Sequence, residues 1–273
     1  MRVRAARTAK TLAVLAAGAL ALSACGDGGS TGAGASPEVS PGGGSDLALI
    51  TPGTLTVCSD IPYPPFEFEE GGEYTGFDMD IIREVAGGLG LDVVIKDVGF
   101  DGLQSGASLA AGQCDIGASA MTITEAREKN IDFSEPYYDS LQSLLVPKDS
   151  EIKALADLAG KRVGVQQGTT GEAYAREHLP KDTEILAYPS DAELFPALQS
   201  GGVDAVLQDL PVNLGHTQDG AYTVVEKYET DEQYGFAVKE EGSEALLKAV
   251  NAELAELRES GKYQEIYDKY FTE

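Results

Sequence analysis

The residues best suited to chemistry stand in the stretch "ASAMTITEAREKNIDFSEPYYDS", positions 118–140. In a chain with 45 acidic residues against 20 basic ones, Arg127 follows Thr122, Thr124 and Glu125, residue types that cap helix starts. A guanidinium offers a planar, two-pronged donor set that matches a carboxylate. The free N–H groups and partial positive charge of a helix start favour an anion at the same place. This corner reads as a carboxylate grip, against the plainer alternative of a capped surface helix with a solvated arginine. In "GVQQGTT" a predicted strand opens into a helix, so the N–H groups at Thr169 and Thr170 can reach the same anion, although an ordinary strand-to-helix turn fits equally well. Asp209, in "VLQDLP", falls at a predicted strand end, where open α/β sheets bind ligands. It suits an ammonium group, or simply caps the next helix. The sequence offers no Ser/His/Asp or Cys/His set, metal cluster or phosphate loop, so no cofactor is expected. His178 and His216 read as surface residues.

Regular punctuation from Gly53 onward supplies the elements that must position these groups. "TLTVCSD" reads as a strand and "GFDMDIIREVAGGLG" as a helix, with Ile81, Ile82, Val85 and Leu89 on one face. "LDVVIKDV" and "CDIGASAM" are further strands, with a loop and helix between them. A second series follows "FSEPYYDS": strands at "SLLVP", "KRVGVQQG", "EILAY" and "VDAVLQD" alternate with helices at "TTGEAYAREHL" and "SDAELFPALQSG". The latter begins with a Ser190/Glu193 capping box. "YTVVEKY" and "QYGFAVKE" are late strands, and the end is an amphipathic helix broken at Gly261. Alternating strands and helices imply an α/β fold with mainly parallel sheets. "LQSGASLAAGQCDIGAS" and "LQSGGVDAVLQD" echo each other, which favours two similar lobes with a ligand-sized cleft between them.

The chain of 273 residues carries a formal charge of -25, which argues against binding to nucleic acid or anionic lipid. Its first 24 positions join a basic head to a short apolar run, the parts of an export signal. "LSAC" resembles the bacterial lipobox, in which the cysteine, here Cys25, is lipidated; an ordinary cleaved signal is the alternative. Residues 25–50 are rich in Gly, Ser and Pro and read as a flexible tether reaching on the order of 25 Å. In an oxidising compartment Cys58 and Cys114 can close a disulfide or stay as buried thiols, and their spacing leaves both open.

"LTVCSDIPYPPFEF", "GEYTGFDMDI", "ASAMTITEAREKNIDFSEPYY", "LAGKRVGVQQGTT", "VDAVLQD", "EQYGFAV" and "GKYQEIYDKYF" occur in this order. The ordered set resembles the family 3 bacterial extracellular solute-binding proteins, receptors of polar amino-acid ABC importers with the type II periplasmic binding protein fold. The resemblance implies lobe 1 at 51–137 and 236–273, lobe 2 at 142–232, and crossings near Tyr137–Leu141 and Gln233–Ala237. It assigns ligand-carboxylate contacts to Ala120, Thr122 and Arg127, with Thr170 opposite and Gln167 nearby. It gives the α-amino anchor to Asp209, and the ligand side chain to Asp60, Tyr63, Phe100 and Ser119. The segment between Phe100 and Cys114 is slightly longer than usual. Asp60 and the two aromatics suit a basic side chain first and glutamine or another neutral polar one next. The implied protein is a monomer without a cofactor, tethered at Cys25 and serving a membrane permease. A dehydratase-like enzyme and a sensor or adhesion module are the competing readings.

Overall fold

The computed structural model describes residues 47–271. Strand β1 (Thr54–Ser59) leads into the hairpin β2 (Phe68–Glu70) and β3 (Glu73–Thr75), helix α1 (Phe77–Gly88) and strand β4 (Asp92–Asp97). Helices α2 (Phe100–Gln104) and α3 (Ala107–Ala110) precede β5 (Ile116–Gly117) and β6 (Ile131–Phe133). The chain then follows β7 (Tyr138–Pro147) into β8 (Arg162–Gln166), α4 (Thr170–His178), β9 (Glu184–Tyr188), α5 (Asp191–Gln199), β10 (Ala205–Asp209) and α6 (Leu210–Gly215). It returns along β11 (Tyr222–Tyr234), adds β12 (Ala237–Lys239) and closes with α7 (Glu244–Glu259) and α8 (Lys262–Phe271).

These strands form two five-stranded sheets, ordered β4-β1-β5-β12-β6 and β11-β7-β10-β8-β9. In each, four strands point one way and a single strand is reversed: β12 in the first, β7 in the second. The reversed strand is the one by which the chain enters from the other sheet. The two connections run side by side, with Tyr138, Asp139 and Ser140 opposite Tyr234, Gln233 and Glu232.

Parallel strands covered on both faces need apolar helices against them. On α1, Phe77, Ile81, Ile82 and Val85 are fully buried, each worth about 1.5–3 kcal/mol. Leu89 falls just past the last turn and is only half-buried. Around the connections an aromatic cluster forms, with Phe66 against Tyr138 and Tyr234, and Tyr137 stacked on Phe236 at 4.3 Å. Helix α8 straps this region: the Tyr263 hydroxyl donates to the Tyr137 carbonyl, and Phe271 packs on Phe66 and Phe77.

Several local expectations change. The late strands "YTVVEKY" and "QYGFAVKE" are not separate at that boundary; β11 runs through 222–234 with two bulges, and β12 follows. Ser190 makes no side-chain cap at the start of α5, which begins instead with a backbone bond from Glu193 to the Ser190 carbonyl. Cys58 and Cys114 form a disulfide, joining β1 to the segment before β5. His216 is mostly buried, stacked on Phe195 at 3.7 Å with its Nε2 3.1 Å from Asp191 Oδ1, whereas His178 is exposed. The signal at 1–24, Cys25 and the tether up to residue 46 lie outside the described residues. Of the tether's last four positions, Leu47 and Leu49 pack against the first core and the Ile50 N–H donates to Asp115.

Candidate functional site

Parallel strands leave their carboxyl ends open for ligands. Asp60 follows the end of β1, Ser119 and Ala120 follow β5, Gln166 ends β8 and Asp209 ends β10. These four ends converge on one narrow cavity between the sheets. Nine of the ten sequence-predicted ligand residues line it: Asp60, Tyr63, Phe100, Ser119, Ala120, Thr122, Arg127, Thr170 and Asp209. Gln167 does not. It is exposed, and the preceding Gln166, the last residue of β8, turns inward with its Nε2 donating to Asp60 Oδ2. Thr169 completes the lining.

Arg127 is buried, yet the helix expected to present it is only a 3-10 turn, Arg127–Lys129. A single turn carries little dipole, so the positive charge here belongs to the guanidinium itself. Its Nη1 donates to the Thr122 carbonyl (2.6 Å) and its Nη2 to the Gly168 carbonyl (3.0 Å), which ties the two halves together. The guanidinium also sits over the Phe100 ring, 5.2 Å from its centre. Phe100 thus serves first to hold the arginine flat. Burial lowers Arg127 to about 10, opposed by the charges of Asp209 and Glu232; it stays cationic at neutral pH.

Asp209 is buried and accepts hydrogen bonds from Gln142, Tyr234 and Tyr63. Burial pushes it up to about 7, with the Glu232 charge adding, against the pull of those donors. Asp60 is likewise pushed up to about 7 by burial, which outweighs its bond from Gln166; Asp97, Asp191 and Glu193 add to the rise. The cleft therefore holds one cation facing two acids that titrate near neutrality.

Three polar donors of the cleft edge are engaged elsewhere. The Ala120 N–H points away from the cleft, to Asp78 Oδ2 (2.8 Å), and Ala120 has a positive φ of 43°. The Thr122 and Thr170 hydroxyls donate to Glu232 Oε2, at 3.1 and 3.0 Å. A hydroxyl has one proton, so both threonines turn lone pairs toward any further partner. At the opposite jaw, Thr169 caps α4 by accepting from the Glu172 N–H, and Thr170 is the first helical residue, whose N–H has no partner within the helix.

Gln142, Gln166, Glu232 and Tyr234 are the residues of this candidate site that sequence reading missed, and Thr169 is present as the sequence analysis had it. Glu232 and Tyr234 stand inside "EQYGFAV", a stretch singled out for the crossing and not for its side chains.

A family model described as bacterial extracellular solute-binding proteins, family 3, matches residues 55–273. A probable histidine-binding protein of Neisseria gonorrhoeae is 34% identical, over 95% of this chain and 94% of its own. The ABC transporter glutamine-binding protein of Bacillus subtilis is 38% identical, over 74% of each chain. Among solved structures, an ancestral arginine-binding protein bound to glutamine aligns with a TM-score of 0.76 at 38% identity, covering 81% of this chain and 99% of that one.

Proposed function

The chain belongs to the bacterial extracellular solute-binding proteins, family 3, and from that premise we propose that it is the exported, lipid-anchored receptor of an ABC importer for polar amino acids. The observation that carries this reading is one buried guanidinium, Arg127, lining the same narrow cavity between the sheets as two buried carboxyls, Asp60 and Asp209. That charge pattern is complementary to a zwitterion with a basic side chain.

In this reading the ligand carboxylate lies against Arg127 and the N–H groups of Thr122 and Thr170. Its ammonium meets Asp209 and the lone pairs of the Thr122 and Thr170 hydroxyls, whose protons point to Glu232. The side chain runs toward Ser119, Asp60 and Gln166 past Tyr63 and Phe100. A guanidinium or ammonium tip pairs with Asp60, so a basic amino acid is the preferred ligand. Glutamine, with its amide bridging Asp60 and Gln166, is the runner-up. Contacts from both lobes to one ligand bias the hinge toward closure. The protein acts as a monomer held to the membrane at Cys25, and passes its ligand to a permease.

A dehydratase-like enzyme on this fold needs an acid or base beside a reacting carbon. Asp60 has a suitable proton affinity, but its Oδ2 is engaged by Gln166. Binding without turnover is therefore our reading. A thermal-shift screen of the protein lacking its first 25 residues, against the twenty amino acids, tests it. A ligand at 100 times its Kd stabilises by about 2.7 kcal/mol. The outcome expected is a shift with arginine, lysine, histidine or glutamine that Asp209→Asn abolishes; no shift with any amino acid would end the proposal.

A further inference from the structure

Behind the Ser119–Ala120 edge of the cleft lie two acids that do not line it. Glu67 and Asp78 are both fully buried. Glu67 Oε1 accepts from Ser119 Oγ (2.9 Å), and the same Ser119 oxygen accepts from the Asp60 N–H (3.0 Å). Asp78 Oδ2 accepts from the Ala120 N–H (2.8 Å) and from the Tyr137 hydroxyl (2.6 Å). The two carboxyls thus fix Asp60, Ser119 and Ala120 from the rear. They also hold Ala120 in its left-handed backbone conformation, which a residue with a Cβ seldom adopts.

The second oxygen of each acid tells more. Glu67 Oε2 and Asp78 Oδ1 are buried with no hydrogen-bond partner. The acids are neighbours, since the Asp78 N–H donates to the carbonyl of Phe66, the residue before Glu67. Two adjacent buried carboxylates with two orphaned oxygens would be costly, because each charge lacks both water and a counter-charge. One proton placed between the two carboxyls would satisfy both orphans at once. The charged groups acting on Glu67 are Asp78 on α1, Asp60 after β1 and Asp209 on β10; Asp78 is met by the Tyr137 hydroxyl from the connection into β7. None of these is a cation. Burial raises Asp78 to about 7 and pushes Glu67 well above the usual carboxylate range, the Asp78 charge adding to the latter.

We propose that Glu67 and Asp78 share one proton, carried on Glu67 Oε2 toward Asp78 Oδ1, and that they are the positioning pair for the Asp60–Ser119–Ala120 edge of the ligand cleft. The positioning role rests on the amino-acid reading above; the shared proton does not. Glu67→Gln imitates the protonated acid at every pH, accepting from Ser119 and donating to Asp78. Glu67→Ala removes both bonds.

The test combines infrared spectra of the carboxyl region at pH 7, amide NMR of Asp60 and Ala120, and calorimetry with L-arginine and L-glutamine above neutral pH. In the difference spectrum, wild type is expected to show one protonated-acid C=O stretch that Glu67→Gln lacks, the bands of Asp60 and Asp209 being common to both. Its affinity should fall on the alkaline side as the pair loses its proton and the two amide signals move. Glu67→Gln should keep wild-type affinity at pH 7 and lose that alkaline fall. Glu67→Ala, folded by circular dichroism, should bind about tenfold more weakly at every pH, as for losing one or two hydrogen bonds. A wild-type band no stronger than that of Glu67→Gln overturns the shared proton, and Glu67→Gln binding as poorly as Glu67→Ala overturns the positioning role. If neither amino acid binds wild type, the ligand reading and the positioning role built on it both fail. The band and the amide shifts then decide the proton alone.

Discussion

Acidification is expected to weaken ligand binding while it strengthens the free fold. Asp60 and Asp209 are pushed up to about 7 by burial, and a bound cation requires both as carboxylates. Below neutrality, binding must first expel their protons. At pH 5.5 ionising a group that titrates near 7 costs about 2 kcal/mol, at roughly 1.36 kcal/mol per pH unit. That is about 30-fold in affinity for one carboxylate and about 1,000-fold for two. L-arginine should therefore bind about 30- to 1,000-fold more weakly at pH 5.5 than at pH 8. Calorimetry in two buffers of different ionisation heat should count one to two protons released per ligand at the acid end. The free protein moves the other way. Folded values above the unfolded ones mean that the native state holds these protons more tightly. The stability they contribute is fully present below the unfolded carboxylate range and is lost as pH rises through about 7. Between pH 8 and 5.5 the two groups should raise the melting temperature of the free protein, while the increment added by ligand shrinks. Asp60→Asn should remove about half of the proton release. An affinity constant within threefold across this range, or protons taken up on binding, would refute the reasoning.

Arg127→Lys should cost at least about 30-fold in affinity, because one ammonium cannot span the Thr122 and Gly168 carbonyls and still face a ligand; wild-type binding by calorimetry would contradict the carboxylate assignment. Replacing both Cys58 and Cys114 by serine opens a cross-link between residues 56 apart in sequence and should remove about 4 kcal/mol of stability. A denaturant midpoint equal to that of the oxidised protein would show that the disulfide contributes nothing. Cys25→Ser should move the protein from the membrane fraction to the soluble exported fraction, and retention on the membrane would exclude the lipid anchor.

Much of the architecture was legible because it is written in local periodicity. The alternating apolar strands β1, β8, β9 and β10 and the amphipathic α1, α4 and α5 each follow from neighbours within a few residues. The break between α7 and α8 is a glycine with φ 83°, a signal equally local. Most of the lining of the candidate site was legible too, since chemistry-bearing residues at strand ends in an ordered series of motifs leave few alternatives. The choice between Gln166 and Gln167 was not, because it turns on which residue ends β8 and so faces the opposite sheet. The helix expected at Arg127 reduced to a 3-10 turn because the chain enters β6 at Ile131, leaving no room for a second turn.

From the order of its residues alone, this chain dictated two βα series and the polar groups at their strand ends, because each of these depends on near neighbours. Only the packing of distant segments decided that Cys58 meets Cys114, that Glu232 takes the protons of Thr122 and Thr170, and that Ala120 turns its N–H to Asp78. The proton affinities of Asp60, Asp78 and Asp209 belong to the same class. They arise from exclusion of water by residues far apart in sequence, and no local pattern records that.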